Sequence, residues 1–168
     1  MKGAADLKAH LGAPAFAWIG RSAGALGVMA ARRNFGAAAR AFVCLATPFD
    51  PYAPLDKVRA VSAGSEAIEG LKLLLAQEFA LSWNDLGSGD AWTPDASAHL
   101  MLVYDETDST TSAHGAWKVA RQWRDARDML TSGLGHNRIP GAERVMESVS
   151  DILAARRSGH ATGTGFAA

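Results

Sequence analysis

Short apolar runs alternate along this chain with segments of helical periodicity, and this alternation constrains the fold more than any other feature. The apolar runs predict strands over residues 15–19, 41–46, 99–104 and 128–131. The periodic segments predict helices over residues 23–33, 66–83 and 113–127, and a last one from about Pro140. A strand, a helix and a further strand form a right-handed crossover unit with parallel strands. The sequence therefore predicts an α/β fold with a mostly parallel sheet of about four strands flanked by helices.

The composition is that of one globular domain with a hydrophobic core. Of 168 residues, 48% are hydrophobic and 20% are charged, which is the usual balance of a soluble protein. The 17 basic and 17 acidic residues cancel, so the chain has no overall charge that would attract nucleic acid or an anionic membrane. We expect neither of these partners.

The sequence favours a cytoplasmic location. No apolar stretch approaches the roughly 20 residues that span a bilayer, and the amino terminus lacks the charged and then apolar pattern of a signal peptide. The single cysteine, Cys44, lies in an apolar run, where a small buried residue is more common than a reactive thiol.

The predicted α/β domain occupies residues 1–156 and contains one insertion. Residues 48–98 begin with a proline-rich loop, continue into an amphipathic helix and end in a polar loop. We interpret this segment as a small helical cap-like insertion. Residues 157–168 are rich in glycine and threonine and are predicted to form a flexible tail.

A serine lies between two glycines where the first predicted strand meets a helix. The sequence Gly20-Arg21-Ser22-Ala23-Gly24 fits the nucleophile elbow, a sharp turn that holds a serine hydroxyl above the edge of a sheet. We expect both glycines to be needed because neighbouring backbone passes too close for a side chain. The pentapeptide alone is equally consistent with a serine that caps the helix and has no catalytic role.

An acid and a histidine follow the serine near the predicted ends of later strands. Asp108 lies just past the third strand, and His136 lies in a glycine-flanked loop after the fourth. The carboxyl ends of parallel strands gather active groups at one edge of a sheet. Ser22, Asp108 and His136 also occur in the serine, acid, histidine order of α/β-hydrolases.

On these residues, the sequence resembles the carboxyl-terminal part of a bacterial α/β-hydrolase of the serine esterase or lipase-like superfamily. The elbow, the strand that ends in a D-x-x-D pair and the G-x-G-H loop recur there in this order, and the resemblance covers roughly residues 8 to 155. It implies an enzyme without a metal or other cofactor, whose serine is acylated by a small-molecule ester.

The resemblance also implies a role for four positions. Ser22 would be the nucleophile, His136 the general base and Asp108 the acid that orients the histidine. The Ala23 N–H would be one oxyanion donor. An unassisted serine is a poor nucleophile, so a neutral imidazole must take its proton, and a carboxylate fixes the imidazole tautomer. Asp105, three residues before Asp108, is the rival acid.

Two features depart from the family pattern. Arg21 occupies a variable position where the family commonly has histidine. Only about 14 residues precede the first predicted strand, whereas the family has four strands and a loop with the second oxyanion donor there. We therefore expect weak activity, because losing one donor costs about 3 kcal/mol. We also expect an uncovered strand edge that pairs with a second copy, or with a chain that supplies the missing half.

Two other interpretations stay open. The chain is alternatively a non-catalytic fragment of the fold that acts as an interaction or oligomerisation module, or a gene fragment without a function of its own. Arg138 is interpreted as either solvated or paired with a carboxylate near the site. No pair of the remaining histidines has a spacing that indicates a metal site: His10, His99, His114 and His160. Four tryptophans are interpreted as packing residues rather than substrate platforms: Trp83, Trp92, Trp117 and Trp123.

Overall fold

A parallel sheet organises the chain, and the computed structural model describes residues 15–48, 64–79, 92–113 and 116–158 of it. The strands of this sheet are β1 (Ala17–Arg21), β2 (Ala41–Leu45), β3 (His99–Asp105) and β4 (Ala126–Thr131). They lie in the order β1-β2-β3-β4, and each neighbouring pair is parallel. The prediction of an α/β fold with about four mostly parallel strands is confirmed.

Helices lie between and after the strands in the chain, and three of them pack on the sheet, the first and third on one face and the last on the other. The helices are α1 (Ala23–Phe35), α2 (Ser65–Phe79), α3 (Ala116–Ala120), α4 (Gly135–Arg138) and α5 (Glu143–Arg157), with a 3₁₀ turn at Ile139–Gly141 between the last two. Helix α2 lies in the predicted cap-like insertion and matches the predicted amphipathic helix as far as Phe79. None of the described helices is long and apolar enough to cross a membrane.

The two central strands, β2 and β3, are buried along their whole length. Phe42 and Cys44 of β2 belong to the core cluster shared with α1 and α3, whereas Val43 and Leu45 belong to the cluster shared with α5. Successive side chains of a strand point to opposite faces, so β2 contributes to both clusters. Burial on both faces explains the continuous apolar sequence of these strands, which is typical of parallel sheets.

The cysteine is a core residue, as its apolar surroundings predict. Cys44 is fully buried. Burial raises the pKa of its thiol to about 12, so the thiol is protonated at neutral pH and does not act as a nucleophile.

The predicted helix over residues 113–127 is wrong over its second half. Helix α3 ends at Ala120 and β4 begins at Ala126. The turn between them buries Trp123, whose indole N–H donates to the carbonyl oxygen of Trp92 at 2.9 Å and whose ring meets Phe42 edge-on. The apolar spacing that suggested a longer helix belongs to this buried turn.

Several other element boundaries also differ from prediction, and two of them have a clear cause. β1 is shifted from 15–19 to Ala17–Arg21 because its last residue, Arg21, still pairs with Leu45 of β2. Pro140 lies in the 3₁₀ turn rather than at the start of the last helix, and α5 begins at Glu143. Proline has no N–H to donate, so it suits the first residues of either kind of helix equally well.

Some predictions concern residues outside the described ranges. They are most of the proline-rich loop and of the polar loop that bound α2, and the tail beyond residue 158. Four single residues named above also lie there: His10, Trp83, His114 and His160.

Candidate active site

The turn between β1 and α1 holds Ser22 in a strained backbone conformation. Its φ is 50° and its ψ is −127°, a region that residues with a side chain rarely adopt and that costs on the order of 1–3 kcal/mol. The Ser22 N–H donates to the carbonyl oxygen of Leu45, at the end of β2, at 2.8 Å. The Ser22 side chain makes no capping bond to α1. Ser22 therefore occupies the N-cap position of α1, but its side chain does not cap the helix.

The two glycines that flank the serine are not equivalent. A Cβ added to Gly20 would lie 2.5 Å from the Cα of Ala25 and 2.7 Å from its nitrogen, whereas a Cβ added to Gly24 would meet nothing within 4 Å. Close approach of the backbone of Ala25 thus explains why position 20 requires glycine, as expected from the sequence. It does not explain Gly24, and that part of the expectation is wrong.

Gly20→Ala should destabilise the protein, whereas Gly24→Ala should not. The added methyl group at position 20 meets the backbone of Ala25, which cannot move without opening the turn, so we expect a loss of about 1–3 kcal/mol or more. At position 24 alanine removes a helical glycine, so the free energy of unfolding should stay the same or rise by up to about 1 kcal/mol. Urea unfolding of both variants checks this, and equal losses would contradict it.

Ser22, His136 and Asp108 form a continuous chain of hydrogen bonds. His136 Nε2 lies 3.1 Å from Ser22 Oγ, and His136 Nδ1 lies 2.8 Å from Asp108 Oδ2. An ionised carboxylate only accepts hydrogen bonds, so Nδ1 carries the imidazole proton and donates a hydrogen bond to Asp108. Nε2 of the neutral imidazole is then an acceptor for the Ser22 hydroxyl. The residues that the sequence singled out from three separate segments thus lie in direct contact.

Asp108 is held by the loop that follows β3. Its side chain is fully buried, and it accepts hydrogen bonds from the N–H of Thr110 at 2.7 Å and from the N–H and hydroxyl of Thr111 at 2.9 and 2.5 Å. Burial opposes its ionisation, but the hydrogen bonds from Thr111, His136 and Thr110 outweigh it and hold the pKa of Asp108 below its usual value. The carboxylate is therefore ionised at neutral pH.

The rival acid, Asp105, bonds to the backbone of the turn that carries the histidine. It accepts hydrogen bonds from the N–H of Leu134 at 3.0 Å and of Gly135 at 2.9 Å. The His136 ring is bonded to Asp108 instead. Of the two acids, Asp108 has the geometry to orient the imidazole, and Asp105 orients the backbone beside it.

Acidification below about pH 4 should destabilise the protein partly through Asp105. Burial opposes its ionisation, but hydrogen bonds from the Thr107 and Thr131 hydroxyls and from the turn's N–H groups hold the pKa of Asp105 below its usual value. The resulting stability is fully present above the unfolded-state pKa of about 3.9 and is lost as the pH falls towards the lower folded-state pKa.

Urea unfolding of the wild type and of Asp105→Asn between about pH 3 and pH 7 tests this expectation. The free energy of unfolding should fall more steeply in acid for the wild type than for Asp105→Asn. Asp128→Asn, on an exposed position of β4, is the control and should keep the wild-type slope. Parallel curves for wild type and Asp105→Asn would contradict the prediction.

The start of α1 supplies a backbone donor beside the serine. Ala23 is the first residue of α1, so its N–H has no partner within the helix. Ala23 and Gly24 are exposed, which leaves this end of the helix accessible. The N–H that directly follows the serine of an elbow can donate to the oxygen of a carbonyl bound there.

Two residues of the turn that carries His136, here called the histidine turn (residues 132–138), differ from what the sequence predicted. The contacts of Arg138 are different from those expected, and a role of Asn137 was not predicted. Arg138 donates to the carbonyl oxygens of Leu134 at 2.9 Å and Gly133 at 2.5 Å, so neither a purely solvated side chain nor a carboxylate pair describes it. Asn137 accepts a hydrogen bond from Arg21. An asparagine in a polar segment carries no pattern that could have indicated this contact.

The other candidate residues lie apart from the serine. His99 opens β3, as predicted, and its Nδ1 lies 2.8 Å from Asp125 Oδ1. Trp92 and Trp123 are buried, in agreement with their interpretation as packing residues, but Trp117 is 57% exposed and does not fit it. In the described part of the chain, no group of three or more ligating side chains could hold a metal ion.

Known structures with a similar fold were found, whereas comparisons of sequence found no match. No protein-family model and no curated protein matches the chain. An α/β-hydrolase enzyme from the metagenome of lagoon sediments at Mar Chica, Morocco, is similar with a TM-score of 0.67 and 15% identity, over 93% of this chain and 68% of the other. The monoacylglycerol lipase of Paleococcus ferrophilus is similar with a TM-score of 0.61 and 17% identity, over 94% and 73%.

A third similar structure is the esterase domain of a Rhodothermus marinus protein, with a TM-score of 0.61 and 17% identity, over 93% of this chain and 67% of the other. The chain thus spans between 67% and 73% of the length of these three proteins. Identities this low show a shared fold, and the chemistry has to be argued from the site itself.

Proposed function

We propose that this chain, which has the α/β-hydrolase fold, is a serine hydrolase that cleaves carboxylic esters through an acyl-enzyme on Ser22. The observation that carries the proposal is the chain of hydrogen bonds from Ser22 through His136 to Asp108, which begins in the strained turn between β1 and α1. The esterase and lipase among the structures of similar fold support the choice of ester bonds.

Acylation begins when Ser22 Oγ attacks the ester carbonyl carbon while His136 Nε2 takes the hydroxyl proton. The carbonyl oxygen becomes an oxyanion, to which the Ala23 N–H donates. The carbon–oxygen bond of the alcohol portion then breaks, and His136 returns the proton to the departing alkoxide. Asp108 stays ionised throughout and stabilises the imidazolium.

Deacylation repeats these steps with water in place of the serine hydroxyl. His136 takes a proton from the water molecule while the water oxygen attacks the acyl carbon. The bond to Ser22 Oγ breaks, the carboxylic acid leaves and Ser22 recovers its proton from His136. The same acid and base thus serve both halves of the reaction.

The intact mass of the protein after incubation with a fluorophosphonate tests the proposal. The wild type should gain one adduct, because Ser22 would displace fluoride from phosphorus, and Ser22→Ala should gain none. Ser158→Ala, which alters a serine just past α5, should label like the wild type. Absence of an adduct on the wild type, or an adduct on Ser22→Ala, would overturn the proposal.

A second candidate function concerns the outer edge of the sheet. Among the described residues β1 is hydrogen-bonded to β2 only, and Ile19 of β1 is 52% exposed. An edge strand with an exposed apolar side chain favours pairing with another strand, and a twofold axis lets β1 pair with β1 of a second copy. We therefore propose a homodimer through β1.

The molar mass of the protein, measured by light scattering after size-exclusion chromatography, tests whether this interface forms. A dimer that Ile19→Lys converts into monomer would support the pairing. A monomeric wild type, or a dimer that this variant leaves intact, would contradict it. Labelling of Ser22 in the same samples shows whether the chain is an enzyme, an assembly module or both.

A further inference from the structure

Arg21, the residue immediately before Ser22, reaches across to the turn that carries the histidine. Its Nη2 donates to Asn137 Oδ1 at 2.5 Å and to the carbonyl oxygen of His136 at 3.3 Å. Arg21 is the last residue of β1, and its backbone continues directly into the strained serine. One side chain therefore joins the turn of the nucleophile to the turn of the base.

Other side chains hold the histidine turn from different directions. Arg144 of α5 donates to the carbonyl oxygen of Ser132 at 3.3 Å, Arg138 holds two further carbonyls, and Asp105 at the end of β3 accepts two of its N–H groups. These contacts attach the turn to β3 and to the chain that follows it. Among the described residues, the hydrogen bonds that join this turn to the elbow are those of Arg21 and the one between His136 and Ser22.

The bond between Ser22 and His136 has little tolerance for displacement. At 3.1 Å the distance from Ser22 Oγ to His136 Nε2 lies near the upper end of the range of protein hydrogen bonds. The two residues lie on separate turns 114 positions apart in the chain, so their distance depends on how those turns are held together. A bond from a charged guanidinium is stronger than one between neutral groups, which suits Arg21 for this task.

We propose that Arg21, acting with Asn137, is a positioning residue that sets the distance between Ser22 Oγ and His136 Nε2. Arg21 does not touch the reacting atoms. It acts through the backbone of His136 and the side chain of Asn137, and its role in catalysis rests on the function proposed above. A misplacement of about 1 Å costs on the order of 10²-fold in rate.

The rate of Ser22 modification by a fluorophosphonate measures this role. Arg21→Met and Asn137→Ala should each lower the second-order rate constant by about 10- to 100-fold. Because both residues belong to one contact, the double variant should be no slower than Arg21→Met alone. Arg21→Lys should recover part of the rate. Arg121→Met, which removes an arginine just past α3 at the other end of the sheet, should leave the rate unchanged.

A second measurement separates this inference from the proposed function. The Nδ1 proton of His136, bonded to Asp108, should give a far-downfield NMR resonance that His136→Gln lacks. Arg21→Met and its milder substitute Arg21→Gln should broaden this resonance and speed its exchange with water about 10-fold or more, with an unchanged melting temperature.

The two measurements have distinct outcomes. A wild type that does not label, but whose resonance responds to Arg21→Met, would overturn the hydrolase and support the positioning role. Two results on a wild type that labels would overturn the positioning role alone. Either the reductions in labelling rate caused by Arg21→Met and Asn137→Ala multiply in the double variant, or neither variant changes the rate. An unchanged resonance in both Arg21 variants would overturn it as well.

Discussion

His136→Ala should lower the rate of Ser22 modification by a fluorophosphonate by about 10⁴-fold or more. The imidazole Nε2 lies 3.1 Å from Ser22 Oγ and is the group placed to take the hydroxyl proton. Without it the hydroxyl has to react unassisted, and a serine at its ordinary pKa is a poor nucleophile. Intact-mass time courses give the rate constant for the wild type and the variant under the same conditions.

His99→Gln is the matched control for this experiment. His99 is also bonded to an aspartate, Asp125. It is more deeply buried than His136 and lies at the amino end of β3, away from the serine. Its replacement should keep the labelling rate even where it lowers stability. Equal rates for the wild type and His136→Ala would show that Ser22 reacts without a general base, and the proposed mechanism would be wrong.

Asp108→Asn should lower the same rate by about 10⁴-fold while leaving the fold in place. An amide at this position can donate to His136 Nδ1, which favours the tautomer that carries its proton on Nε2. That tautomer cannot accept the proton of Ser22. The rate constant from labelling, together with the melting temperature, separates loss of reactivity from loss of structure.

Asp105→Asn is the comparison that decides between the two acids. Asp105 bonds to the N–H groups of Leu134 and Gly135 rather than to the imidazole, so its replacement should reduce stability more than it reduces reactivity. Its effect on the labelling rate should be at least tenfold smaller than that of Asp108→Asn. If Asp105→Asn abolished labelling and Asp108→Asn did not, Asp105 would be the acid of the triad.

The fold could be predicted largely from the sequence. β2 and β3 were predicted to within one residue because strands buried on both faces have continuous apolar sequences, and both strands are buried throughout. The α/β-hydrolase fold, predicted from the elbow and from the order of serine, acid and histidine, is confirmed by the structures of similar fold. The expected weak activity stays a prediction.

Where packing overrides local pattern, the prediction was less successful. Trp123 and Pro140 both suggested helix from their spacing or their backbone preference. The buried turn around Trp123 and the 3₁₀ turn around Pro140 depend on contacts with Trp92 and with the rest of the core. Such contacts join residues distant in the chain, which periodicity does not detect.

For the site, the sequence supplied the chemistry and the tertiary structure supplied the distances. Residue types and their order named Ser22, Asp108 and His136, because the carboxyl ends of parallel strands converge at one edge of a sheet. That rule places three turns near one another without saying which atoms meet. Asp108 rather than Asp105 meets His136, and Arg21 meets Asn137, only because folded strands and helices hold their backbones within a few tenths of an ångström, a scale on which hydrogen bonds form or fail.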